Sequence, residues 1–138
     1  MASFAAFAAL ACGACIPAPE PITIELVNET AFDVRPNLYV SDSATGEAEL
    51  FVAANLVTDF TDRPFPELRP GETATVTLEC DQARALGVDA PLLFDAATLT
   101  ITPSADRIFR ARDADFACGD TIRFVYFREA AAFRARVE

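Results

Sequence analysis

Histidine, lysine and tryptophan are absent from the 138 residues, and methionine occurs once. Without His, the chain lacks the usual neutral-pH acid and base and the commonest metal ligand. The eleven basic side chains are therefore all Arg, set against 21 acids for a formal net charge of −10. No basic stripe exists to neutralise phosphates, which excludes nucleic acid as a partner. Serine is scarce, and Ser41, Ser43 and Ser104 all sit in turn-like segments. A nucleophile needs an adjacent base, and neither His nor Lys can supply one. Paired carboxylates are the remaining acid–base chemistry. With this many acids, chance pairs carry no information. The sequence predicts no enzyme, no catalytic residue and no cofactor. No apolar run reaches the roughly 20 residues of a membrane span, and no repeat of 20–50 residues is present.

What the chain does have is apolar: 52% hydrophobic residues and twelve Phe, too many for a disordered chain. Its first segment, residues 2–11, is Ala-Ser-Phe-Ala-Ala-Phe-Ala-Ala-Leu-Ala, uncharged and without a helix breaker. That length suits the apolar region of a signal peptide. Ala9-Leu10-Ala11 is a small-x-small cleavage pattern, followed at once by Cys12 and Gly13. The segment resembles the lipobox of bacterial lipoproteins, in which the signal is cut before a Cys that becomes acylated. It departs from that pattern at Ala9, where Leu is usual, and no Lys or Arg precedes the apolar run. The resemblance implies lipidation of Cys12, with Cys15 as the rival site, and a membrane partner through the anchor. Gly13 after the Cys, rather than Asp, implies sorting to the outer membrane. An ordinary cleaved signal, giving a periplasmic or secreted product, is the alternative. Residues 12–21 would carry the lipid and a Pro-rich, semi-stiff tether.

From residue 22 the pattern is that of short strands. Ile22-Thr23-Ile24-Glu25-Leu26 alternates apolar and polar, and Thr73 to Cys80 alternates most cleanly, with Ala74, Val76, Leu78 and Cys80 inward. Pro36 interrupts a run from Phe32 to Val40, pointing to an edge or bulge. A third strand is expected over Ala48–Val57. Asp81–Gly87 reads as the one short helix, capped by Asp81 and Gly87. Strands follow near Pro91–Phe94, Thr98–Thr102 (Leu99 and Ile101 inward), Arg107–Arg112 and Asp120–Arg128. The last has apolar residues on both faces and should be central. Residues 129–138 read as a helix or tail. Arg69-Pro70-Gly71-Glu72 suits a type II turn. Seven or eight short strands with regular turns predict an all-β, antiparallel sandwich over residues 22–128.

Val27-Asn28-Glu29-Thr30 with Val34, and Leu68-Arg69-Pro70-Gly71-Glu72-Thr73, resemble the first corner and a middle turn of bacterial immunoglobulin-like sandwiches. The Trp that packs on the central disulfide of antibody domains is missing. The resemblance implies a fold and no activity.

Cys80 ends a strand on its inward side and Cys118 precedes the last strand. A disulfide between them fits an exported domain. By loop entropy it would contribute about 4 kcal/mol. Two buried thiols are the alternative. Two surface features bear on binding. The Pro-rich segment 59–71 holds Phe60, Phe65 and Leu68, flanked by Arg63 and Arg69. It is either a plug for the end of the sandwich or a loop that binds an envelope protein or glycan, since aromatic plus Arg is the composition of interface hot spots. Asp113, Asp115 and Asp120 are either a solvated charged surface or part of a calcium or small-ligand binding module; the first two place alternate oxygens as a calcium loop does. Asn28-Glu29-Thr30 also matches a glycosylation sequon, or is simply a turn. The function these features predict is a non-catalytic, lipid-anchored envelope domain with a structural or interaction role.

Overall fold

The computed structural model describes residues 16–138; the signal-like segment, Cys12 and Cys15 lie outside the described residues. Ten strands are present among them: β1 (Ile22–Asn28), β2 (Asp33–Arg35), β3 (Leu38–Ser41), β4 (Thr73–Leu78), β5 (Ala85–Asp89), β6 (Leu92–Asp95), β7 (Thr100–Pro103), β8 (Arg107–Ala111), β9 (Thr121–Glu129) and β10 (Ala132–Val137). The all-β expectation holds. One sheet has the order β10-β9-β1-β4, a second β2-β6-β7 and a third β3-β5-β8. The last two are halves of one bent layer, because β2 runs into β3, β5 into β6, and β7 into β8. The core lies between this layer and the four-stranded sheet. Ile22, Ile24 and Leu26 of β1, Ile122, Phe124 and Tyr126 of β9, Leu86 and Val88 of β5 and Leu93 of β6 are buried there.

All three bends fall at one level and are held by polar groups. Pro36 removes a donor from the first, and Asn37 turns the chain with φ 48°. The Asn37 amide donates to the carbonyl of Ala90 at 3.0 Å, in the second bend, where Ala90 itself has φ 42°. The third bend is organised by Asp106. Its Oδ2 accepts from Ser104 Oγ at 3.1 Å, from Arg134 Nε at 2.9 Å and from the Ala135 N–H at 2.7 Å. Since Arg134 and Ala135 belong to β10, one carboxylate ties the bent layer to the edge of the other sheet. Burial pushes the Asp106 carboxyl up, but these hydrogen bonds outweigh it and hold it below its ordinary value.

Several expectations are corrected. The number of strands is higher than seven or eight, and β1 runs parallel to β9, Thr23 opposite Thr121 through Asn28 opposite Tyr126, so the sandwich is not wholly antiparallel. The expected helix at 81–87 is a single 3-10 turn, Cys80–Gln82, closed by a reciprocal Glu79–Gln82 capping box. Beyond it the chain is strand β5, paired on both sides, with Ala85 to Val88 buried. Tertiary pairing overrides a local helix signal there, and Gly87 is no cap: a Cβ on it would lie 2.1 Å from the Ile108 carbonyl oxygen. The one α-helix among the described residues is instead Glu47–Leu50, overlapping the start of the expected third strand, where Glu and Ala favour helix and only Leu50 is buried. Residues 129–138 are no helix or tail: they finish β9 and form β10, antiparallel to it, which leaves β9 central as expected. Leu99 and Ile101 point outward, 78% and 61% exposed. The Arg69–Glu72 turn is as expected, with Gly71 at φ 74° and the Glu72 N–H bonded to the Arg69 carbonyl at 3.0 Å.

Two outcomes follow. Gly87→Ala should lower stability by about 1–3 kcal/mol in urea unfolding, because backbone must shift to admit the methyl group. Asp106 has a folded pKa below the unfolded value of about 3.9, so its contribution is present above that value and fades as pH falls through the folded one. Asp106→Asn should therefore be less stable than wild type at pH 7 and lose less stability between pH 4 and pH 2.

Candidate functional site

The two ends of the sandwich are chemically distinct. At one end, Ile22 begins β1 opposite Leu78, and Thr23 donates its N–H to Asp120. Cys80 and Cys118 lie at this end, joined as a disulfide with Cα atoms 5.4 Å apart. Cys80 is buried and Cys118 exposed. The Arg112 guanidinium reaches the Cys80 carbonyl.

At the opposite end, β1 finishes at Asn28, whose side chain is fully buried. Its Nδ2 donates to the carbonyls of Phe32 at 2.7 Å and of Leu68 and Arg69 at 3.0 Å each. Its Oδ1 accepts from the Thr30 N–H at 2.9 Å and the Thr30 hydroxyl at 2.8 Å. The two segments that carried the immunoglobulin-like resemblance thus meet at one amide. The Asn28 nitrogen is committed and inaccessible in the folded chain, so the sequon is a corner.

The 59–71 segment divides between plug and surface. Leu68 is buried and exchanges two backbone hydrogen bonds with Val34, at 2.9 and 2.8 Å. Phe60 packs half-buried against the core. Arg63 grips Glu72 with two hydrogen bonds of 2.9 Å each and also reaches the Glu67 carbonyl. The Arg63 hydrogen bonds hold the Glu72 carboxyl below its ordinary value against partial burial. Arg69 is exposed, and its backbone N–H donates to Glu72. Phe65 alone stands out, 62% exposed, with the Arg35 guanidinium 5.1 Å from its ring centre.

Arg35 leads to a surface that sequence reading missed. On the outer face of β2, β6 and β7, Leu92 lies opposite both Arg35 and Pro103, and Phe94 opposite Ile101. Arg35, Glu67, Leu92, Phe94 and Ile101 line a shallow cavity of about 150 Å³. Leu92 and Phe94 are half-buried and Ile101 exposed. Arg35 has no ion-pair partner among the described residues. The missed signal was the run Pro91-Leu92-Leu93-Phe94, which is apolar on both faces when only Leu93 fills the core.

The Asp113, Asp115 and Asp120 cluster does not assemble. Among the described residues no three acidic or Cys side chains converge to hold a metal ion. Asp115 accepts from the Ala111 N–H at 2.8 Å and Asp120 from the Ala117 N–H at 2.7 Å, both as turn contacts. The serines are similarly engaged: Ser41 Oγ accepts from the Ala44 N–H and Ser104 Oγ from the Asp106 N–H.

No family model matches the sequence, and no curated protein matches it. Among solved structures, the chain is similar to the T6SS lipoprotein TssJ1 from Pseudomonas aeruginosa at 18% identity and TM-score 0.47, covering 87% of this chain and 97% of that one. It is also similar to the cytotoxin suilysin from Streptococcus suis at 14% identity and TM-score 0.47, and to a trapped toxin at 10% and 0.48. In each of these two it spans 23% of the other chain's length. At such identities and scores, function has to be read from the chain's own residues.

Plug and surface are separable by mutation. Phe65→Ser should leave the melting temperature within about 2 °C of wild type. Leu68→Ala should cost about 2–5 kcal/mol, as loss of a fully buried Leu side chain does. Thermal unfolding of both variants checks the division.

Proposed function

We propose that the chain is a non-catalytic binding domain of the bacterial cell envelope, tethered through a lipidated Cys12 and presenting its outer apolar face to a partner protein. One observation carries the reading. β1 is a spacer of seven residues, about 20 Å long, with the tether entering at its first residue. Phe65, Arg35, Phe94 and Ile101 gather beyond its other end. A domain held to a membrane at Ile22 would project that face away from the lipid. The disulfide supports an oxidising compartment. Residues 16–21, Ile-Pro-Ala-Pro-Glu-Pro, are exposed and suit a semi-stiff spacer. Sorting to the outer membrane, and kinship with immunoglobulin-like sandwiches through the Asn28 corner, belong to the same proposal.

The partner face has the composition of a hot spot: an aromatic ring stacked with Arg, beside aliphatic side chains that singly would need no explanation and together form a patch. No helix of the described residues is long and apolar enough to cross a membrane.

The test is the intact mass of the protein purified from bacterial membranes, combined with a photo-crosslinker placed at Phe65 or at Thr45. The expected mass is that of a chain starting at Cys12 with acyl groups, and the expected adduct forms from position 65 alone. A chain retaining residues 1–11, or adducts equally frequent from both positions, would contradict the reading.

A further inference from the structure

Among the described residues, β4 is the sheet edge that carries no Pro, no capping carboxylate and no paired segment. The β10 edge is blocked where Asp106 takes the Ala135 N–H. The β2–β3 edge is covered by Leu68, paired with Val34, and by Val57, which donates to the Leu38 carbonyl at 2.9 Å. The β7–β8 edge carries Pro103, which has no N–H, and Asp115 takes the Ala111 N–H. Edge β4 has no such device. The Asn28 N–H donates to the Glu72 carbonyl, so the even-numbered residues of β4 exchange hydrogen bonds with β1 in the observed register. Thr73, Thr75 and Thr77 therefore turn their N–H and C=O groups outward. No hydrogen-bond partner meets them among the described residues. The strand Thr-Ala-Thr-Val-Thr-Leu holds no charge, no Pro and no bulge, and an edge of that kind is a template for another strand.

Alongside this edge runs an open groove of about 420 Å³ between Asp59–Arg63 and Glu72–Thr75. Thr61, which lines it, has its hydroxyl oxygen sealed from solvent, and the chemistry of an occupant is set instead by the acids beside it. Asp59 and Asp62 are exposed, and neither has an Arg partner within the described residues, whereas Glu72 is already matched by Arg63.

We propose that the β4 edge and this groove bind an extended segment of another protein, β-branched in its centre and carrying Arg or Lys beside Asp59 and Asp62. The segment adds as a fifth strand to the four-stranded sheet. Main-chain hydrogen bonds to Thr73, Thr75 and Thr77 hold it, and the basic side chains fix its register. A second copy of this chain is disfavoured as occupant: it carries a net charge of −10 and would bring acid against acid. The surface is distinct from the Phe65 patch, so either can fail without the other.

The probe is an acetylated peptide Arg-Thr-Val-Thr-Val-Thr-Arg, with Glu replacing both Arg residues as control, followed by amide NMR and hydrogen exchange on the purified protein. The expected result is saturable binding with shifts confined to Thr61 and the β4 amides. Exchange at Thr73, Thr75 and Thr77 should slow at least tenfold at saturation. The Glu peptide should bind at least tenfold more weakly at low salt, and the double variant Asp59→Asn/Asp62→Asn should lose most of that discrimination. Thr75→Pro deletes one outward N–H without touching the β1 ladder, and should abolish binding while the melt is retained. The proposal is overturned if millimolar peptide gives no saturable shifts, if shifts centre on Phe65 and Ile101, or if β4 protection rises with protein concentration alone.

Discussion

The Asn28 side chain is the point on which the far end of the molecule depends. A primary amide has two donors and a carbonyl oxygen, and here all are used in a place sealed from water. Three carbonyls from two separate segments converge on its nitrogen, and Thr30 closes back on its oxygen. Each carbonyl accepts one further hydrogen bond, Phe32 from the Thr30 hydroxyl, Leu68 from the Val34 N–H and Arg69 from the Glu72 N–H, so the amide ties together three turns already hydrogen-bonded, and removing it would leave its own buried surroundings short of two donors. One side chain thus sets the corner after β1 and the position of Leu68 and Arg69. The Arg63–Glu72 pair and the Phe65 loop are built outward from that anchor.

The second organising constraint is the common bend. Three long strands would cross the sandwich as a flat layer if none broke. Pro36, Ala90 with Pro91, and the Ser104–Asp106 segment break all three at the same level. The bend lets one half of the layer cover the core beside the cystine and the other half turn Leu92, Phe94 and Ile101 outward. Asp106 then joins this layer to β10 and also shields an edge. By comparison β4, with Thr at every second position, has neither a shield nor a charge of its own.

Legibility in the sequence followed the range of the interactions. The alternation of β1, β4 and β9 was readable because one face of each meets the core along its whole length. The Arg69–Glu72 turn was readable because Pro70 and Gly71 settle it locally. The Cys80–Cys118 pairing was legible from the inward position of Cys80 at the end of one alternating strand and from Cys118 just ahead of another. The helix expected at 81–87 failed because β3 and β8 pair with that segment from either side, which no local signal records. The third strand expected at 48–57 failed because Val52 and Leu56, apolar but left 42% and 37% exposed, imitate an inward alternation. Of the candidate loop, the Phe65 and Arg69 side chains are exposed, while those of Phe60, Leu68 and Arg63 serve the structure. Leu92 and Phe94 were signalled by the run Pro91–Phe94, apolar on both faces, whereas Arg35 and Ile101 were not foreseen, since cross-strand register brings them to that face.

The most direct test of the Asn28 anchor is the urea unfolding free energy of Asn28→Asp as a function of pH. The substitution keeps the shape and replaces two donors by an acceptor facing three carbonyls. At pH 7 the variant should lose about 3 kcal/mol or more. The buried carboxyl would have a raised folded pKa, so part of the loss should return as pH falls through it and one donor is restored. A variant within about 0.5 kcal/mol of wild type and flat with pH would contradict the account.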